Sequence, residues 1–190
     1  MSGRLVILDR DGVINHDSDE FIKSPDEWQA IDGSIEAIAR LSAAGFDVAV
    51  ASNQSGVGRK LIDLPVLEAI HSKMLRAVRE AGGDIAKIVY CPHHPDDDCD
   101  CRKPRPGLFR KIAHQLGVPL QDVPMIGDSE RDIAAARAVG GRPILVLTGN
   151  GRATKNALEL SGDLPETFAD LAAAVAVLVD ESAQRREQLR

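Results

Sequence analysis

RLVILDRDG, residues 4–12, is an apolar run that ends abruptly in charge. Arg4 to Leu8 reads as a short strand buried on both faces, and the polar turn DRDG marks its carboxyl end. The run is too short for an export signal, so a reducing cytoplasm is the expected location, where lasting disulfides are not expected. Four similar runs follow: Asp47–Ala51, Ile85–Tyr90, Val123–Ile126 and Pro143–Leu147. Helical patterns alternate with them over Ser34–Ala44, Pro65–Ala81, Pro106–Leu116 and Glu130–Val139, each followed by glycine, a common helix stop. A last helix is expected over Phe168–Val179, with the charged tail either continuing it or fraying. Such alternation predicts an α/β fold, a parallel sheet flanked by helices on both faces. With 190 residues and no linker-like stretch, residues 1–190 are expected to form one domain.

Composition narrows the function. Hydrophobic residues make up 44% and charged residues 27%, ordinary for a globular chain. No apolar run approaches the ~20 residues of a membrane span. A net charge of −6 argues against nucleic acid as the main partner.

In open α/β sheets ligands bind beyond the carboxyl ends of the strands. Asp9, Arg10, Asp11 and Gly12 follow the first strand. Ser52, Asn53, Gln54, Ser55 and Gly56 follow the second. A Cys/His cluster, then Arg102 and Lys103, follows the third. Gly127, Asp128, Ser129 and, one turn on, Asp132 follow the fourth. The convergence of four polar clusters predicts one site.

Asp9 and Asp11 are two residues apart, which in extended backbone puts both carboxylates on one side. Asp128 adds a third. Neighbouring carboxylates repel, and a hard oxygen-liganded cation such as Mg²⁺ relieves them and meets a phosphate oxygen. Ser52 and the N–H groups after it suit a phosphate, and Lys103 supplies a fixed positive charge.

All three cysteines, Cys91, Cys99 and Cys101, lie in CPHHPDDDCDCRKPRPG, residues 91–107, beside His93 and His94. Three sulfurs and one imidazole make a recognised structural zinc set, with either histidine as the fourth ligand. A disulfide would leave one cysteine over.

LDRDGVI, VASNQSG, RKPRPG and MIGDSERD together resemble the four ordered motifs of the haloacid dehalogenase (HAD) superfamily. DRDGVIN, SNQSGVGR and CPHHP…CDCRKPRPG resemble, within it, the heptose-bisphosphate phosphatases. Histidinol-phosphate phosphatases are close relatives and the alternative. The resemblance implies a Rossmann-like fold with no large cap. About twenty residues separate Asp11 from the Ser34 helix, and only a zinc-bound loop, 91–105, precedes the next helix.

It also implies roles. Asp9 is the nucleophile, forming an aspartyl-phosphate, and Asp11 the general acid and base. Ser52 and Lys103 hold the phosphoryl group. Asp9, Asp128 and the carbonyl of Asp11 take Mg²⁺, and Asp132 supports Lys103. Cys91, His93, Cys99 and Cys101 take structural Zn²⁺. Asp17, Ser18, Asp19, Glu20, Ser52, Asn53, Gln54, Ser55, Arg102 and Lys103 meet the substrate, a small sugar bisphosphate. Asp17, Asp19 and Glu20 could equally cap a turn. Arg59, Lys60, Arg102, Lys103 and Arg105 could form a basic rim for a second phosphate. The preferred anomer stays open, and a monomer is expected by analogy.

Overall fold

The computed structural model describes residues 4–188. β1 (Arg4–Leu8) lies between the two large buried clusters of the described residues. Successive strand side chains point to opposite faces. Val6 and Leu8 therefore join one buried cluster, while Leu5 and Ile7 join the other.

The remaining elements follow in order: α1 (Ser34–Ala43), β2 (Phe46–Asn53), α2 (Ser55–Gly58), α3 (Leu64–Glu80), β3 (Lys87–Cys91), α4 (Gly107–Leu116), β4 (Pro124–Gly127), α5 (Glu130–Arg137), β5 (Arg142–Val146), α6 (Gly151–Ser161), β6 (Glu166–Phe168) and α7 (Leu171–Gln188). The strands form one parallel sheet in the order β3-β2-β1-β4-β5-β6. The first cluster packs Ile38 and Leu41 of α1, Ile70 and Met74 of α3, and Val175 and Leu178 of α7 against one face. The second packs Phe109 and Ile112 of α4 and Ala135 of α5 against the other. No helix among the described residues is long and apolar enough to cross a membrane.

The chain runs outward from β1 through β2 to β3, then returns to the other side of β1 for β4. The strand order reverses between β1 and β4, where such sheets open a crevice at their carboxyl ends. The Asp9 N–H donates to Ile126 O across that point at 2.9 Å. No cap is inserted. Residues 12–33 contain only isolated bridges, Asp11 to Asn15 and Asn15 to Ala30. The β3–α4 connection holds one 3₁₀ turn, Pro95–Asp97.

Three elements stand where none was expected: α2 after β2, and α6 and β6 after β5. Phe168 ends β6 rather than starting the last helix, and α7 runs on through the charged tail to Gln188, one of the two expected outcomes. Contacts hold the charged end of α7 in place: Arg142 Nη1 meets Glu181 at 2.6 Å, and Arg4 donates to Ser182. The last two residues of the tail, 189 and 190, lie outside the described residues.

Candidate active site

A cleft of about 270 Å³ opens at the β1/β4 reversal. Asp9, Asp11, Ser52, Asn53, Gln54, Ser55, Arg102, Lys103, Asp128 and Asp132 all line it. The four strand-end clusters therefore meet as expected.

Lys103 is buried at its centre. Its ammonium donates to Ala51 O at 2.8 Å and pairs with Asp9 Oδ1 at 3.0 Å and Asp132 Oδ1 at 2.5 Å. That uses all three ammonium protons. Burial alone would discharge the lysine, but Asp132 and Asp9 hold its pKa above the ordinary value. The expected support from Asp132 takes this form. The Oδ2 of Asp132 accepts from Ser129 Oγ at 2.5 Å and from Ser129 N at 3.1 Å, so both its oxygens are engaged.

Burial pushes the pKa of Asp9 up to about 8, against the pull of Lys103 and with the repulsion of Asp132 and Asp128. Burial likewise raises Asp128 to about 6. One carboxylate oxygen from each of Asp9, Asp128 and Asp132 lies within 4.8 Å of the other two. Among the described residues, no hydrogen bond reaches Asp9 Oδ2 or Asp128 Oδ1. A packed carboxylate group with two uncommitted oxygens suits a hard cation. Gly12 and Gly149, both at positive φ, close on Asp128; a Cβ at either would collide with its carboxylate.

The Asp11 carboxylate lies outside this group. β1 ends at Leu8, so strand alternation does not extend to Asp11. Its oxygens accept instead from Arg10 Nη2 at 2.8 and 3.0 Å, Asn15 Nδ2 at 2.9 Å and Gln54 Nε2 at 2.7 Å. Burial opposes ionisation, yet Arg10 and these donors hold its pKa below the usual carboxylate value. The expectation of a metal bond from Asp11 rests on its backbone carbonyl alone. Arg10 was not singled out in the sequence. It is fully buried and reaches Gln54 Oε1 at 3.0 Å and His71 Nε2 at 3.3 Å.

Burial, then Arg10, pushes the His71 pKa down from 6.5 to about 4. Between these values the unfolded chain takes up a proton that the folded chain refuses. Stability present above pH 6.5 is therefore lost as pH falls toward 4, by up to about 3 kcal/mol. Melting temperature should fall between pH 7 and pH 4.5, and His71→Phe should flatten that slope. A slope unaltered by the substitution would contradict this assignment.

Ser52 is buried, and its Oγ accepts from Gln54 Nε2 at 2.8 Å. Asn53 takes an unexpected position. Its carboxamide accepts from Lys103 N and donates to Lys103 O, both at 3.1 Å, and so ties the end of β2 to the lysine loop. Asn53→Ala should lower kcat, approaching about 10²-fold, with a small change in KM, because a displacement near 1 Å is enough for such a loss. Steady-state kinetics at unchanged zinc content test it; an unaltered kcat would exclude the tether.

Asp17 and Ser18 line the cleft, but Asp19 and Glu20 do not. Glu20 is exposed and pairs with Lys23 at 3.5 Å. The basic rim also differs from expectation. Arg59 and Arg102 line the cleft, and Arg131 joins them. Arg105 pairs with Asp98, within the cysteine loop, and Lys60 lines a separate pocket. Buried Nη1 of Arg102 has no partner among the described residues. Asn150, also missed, reaches Asp128 Oδ2 with its backbone N–H at 2.7 Å. It follows β5, an apolar run with no charged residue just beyond its end to mark a site.

Cys91, His93, Cys99 and Cys101 gather one donor atom each within 4.8 Å. His93 Nδ1 lies 3.6 Å from Cys91 Sγ and 3.2 Å from Cys101 Sγ. His94 points away and accepts from Asp96 N at 3.3 Å, which decides between the two histidines. All three thiols are free. Burial and neighbouring sulfurs push Cys101 up to about 12, a crowding that a dication relieves. Four donors leave no open position, as in a structural zinc site.

A HAD-hydrolase-like family model matches residues 100–174. The D-glycero-β-D-manno-heptose-1,7-bisphosphate 7-phosphatase of Pseudomonas aeruginosa is 55% identical over 94% of this chain and 99% of its own length. The Bordetella bronchiseptica enzyme of that name is 52% identical over the same shares. The crystal structure of D,D-heptose 1,7-bisphosphate phosphatase from B. bronchiseptica, complexed with magnesium and phosphate, superposes with a TM-score of 0.88, covering 94% of this chain and 99% of that one. Shared sequence over nearly the whole length and a shared fold lead to one conclusion: the chain belongs to the D-glycero-β-D-manno-heptose-1,7-bisphosphate 7-phosphatase family of HAD-like hydrolases.

Proposed function

We propose that this chain is a Mg²⁺-dependent phosphatase that removes the 7-phosphate of D-glycero-β-D-manno-heptose 1,7-bisphosphate, a step toward heptose for surface glycans. The observation that carries the reading is the Lys103 centre, where one buried ammonium joins Asp9 to Asp132 beside Asp128. The β anomer, left open by the residues, follows the relatives' names. Nothing among those relatives favours a histidinol-phosphate substrate. A cytoplasmic location fits three free cysteines.

Asp9 and Asp128 would hold Mg²⁺ with the Asp11 carbonyl, since Asp132 is committed to Lys103 and Ser129. When bound, the cation neutralises charge between carboxylate and phosphate and so permits their approach. Asp9 attacks phosphorus as the bond from phosphorus to the sugar oxygen breaks. That oxygen takes a proton from Asp11. Substrate-free Asp11 is a carboxylate; a phosphate dianion bound beside it raises its proton affinity, and it takes the proton it later donates from solvent as substrate binds. Water then loses a proton to Asp11 and attacks phosphorus, releasing Asp9 and inorganic phosphate. The Ser52 hydroxyl stays on the phosphoryl oxygens as charge redistributes, and Lys103, its three protons held by Ala51 O, Asp9 and Asp132, steadies them by its charge. Arg102, with an unpartnered buried nitrogen at the cleft, supports recognition of the second phosphate.

Phosphorus NMR of the reaction tests this reading. Loss of the 7-phosphate signal with retention of the anomeric phosphate is expected. Release of the anomeric phosphate first would overturn it.

A further inference from the structure

The loop after β5, Thr148 to Gly151, has no part in the steps above, yet it is bound tightly to the site. Thr148 Oγ1 donates to Gly12 O at 2.6 Å, and Thr154 Oγ1 to Asp128 O at 2.9 Å. Between them stands Asn150, at the N-cap of α6. Asparagine is favoured there because its side chain caps the first turn. Here the side chain makes no cap hydrogen bond. Its amide nitrogen donates instead to Asp128 Oδ2 and to Asp17 Oδ2, each at 3.2 Å. The backbone N–H holds the same Asp128 oxygen. Two carboxylates from separate loops thus share one amide group. Without that donor they would repel.

We propose that Asn150 is a positioning residue that joins the substrate loop to the metal carboxylate, binding Asp17 and Asp128 into one unit. The inference rests on the reading of Asp128 as a magnesium ligand and adds a link from that ligand to the sugar-facing loop. Holding Oδ2 of Asp128 leaves Oδ1 as its uncommitted oxygen. Holding Asp17 keeps its carboxylate in the cleft, where Asp19 and Glu20 are not. Magnesium affinity and sugar recognition are therefore coupled through one side chain.

Asn150→Ser is the decisive variant. Serine caps a helix as well as asparagine does, and the backbone N–H is retained, so a purely capping role would survive the change. Mg²⁺ titrated alone into the full chain, followed by calorimetry, should show a Kd weakened about fivefold, the scale of one partly exposed hydrogen bond to a charged group. KM for the heptose bisphosphate should rise more than KM for para-nitrophenyl phosphate, which has no sugar for the Asp17 loop to meet. In a cycle with Asp17→Ala, the double variant's Mg²⁺ Kd should depart from the product of the single fold-changes by about threefold. An unaltered Mg²⁺ Kd in Asn150→Ser, or fold-changes that simply multiply, would overturn the proposal. A parent protein that bound no Mg²⁺ would instead remove the metal reading beneath it. Parent Mg²⁺ binding without turnover of the heptose bisphosphate would remove only the substrate assignment.

Discussion

Asp9→Asn is expected to abolish turnover, lowering kcat by about 10⁴-fold or more, as removal of a nucleophile does elsewhere. The side chains match in size, so the contact with Lys103 can persist while the attacking oxyanion is lost. Burial and three neighbouring carboxylates make Asp9 the most strained acid of the cleft, with a pKa raised to about 8. The Lys103 charge only partly offsets that burial, and a bound cation makes the ionised form available. Acid quenching during turnover of labelled substrate should trap phosphate on the parent chain at Asp9 and none on the variant. A variant retaining more than a few per cent of kcat would place the nucleophile elsewhere.

Loss of zinc should be the second large effect, although no zinc ligand faces the cleft. Cys101 stands two residues before Lys103, whose ammonium must meet Ala51 O, Asp9 and Asp132 at once. The loop between Cys91 and Cys101 carries four aspartates and two prolines, and its apolar content is too small for a core of its own. The metal set and the Asn53 tether fix its end, with help from Arg105 on Asp98 and from Gly107 N on Asp100 O. Cys99→Ser combined with Cys101→Ser should remove zinc, lower the melting temperature and reduce kcat by about 10²-fold, the scale of losing one charge-stabilising group. Elemental analysis alongside steady-state kinetics decides the matter. Zinc lost with activity intact would show that the clip does not position Lys103.

Much of this was legible because strand ends converge. Once five apolar runs alternate with helical patterns, Asp9, Ser52, Lys103 and Asp128 must share one edge of the sheet. The elements that escaped were weakly patterned. β6 has three residues, too few for a period, and α6 buries only Gly151, Thr154 and Leu158. The missed site residues have a common cause: each acts outside its usual role. Arg10 would lie opposite Asp9 and Asp11 in an extended strand, but the chain turns after Leu8 and the guanidinium folds back onto its neighbour. His71 reaches Arg10 from a helix 61 positions away. Asn150 has the position of an ordinary helix cap. Asn53, expected as a substrate contact, does line the cleft; its tie to the Lys103 peptide was not legible, because a backbone partner leaves no trace in residue type.

The most direct test of the whole account is kcat/KM for D-glycero-β-D-manno-heptose 1,7-bisphosphate, its α anomer and histidinol phosphate, measured in parallel with Mg²⁺ and with EDTA. The account predicts a large advantage for the β heptose bisphosphate, abolished by EDTA. Equal or better turnover of histidinol phosphate, or activity that survives EDTA, would contradict it.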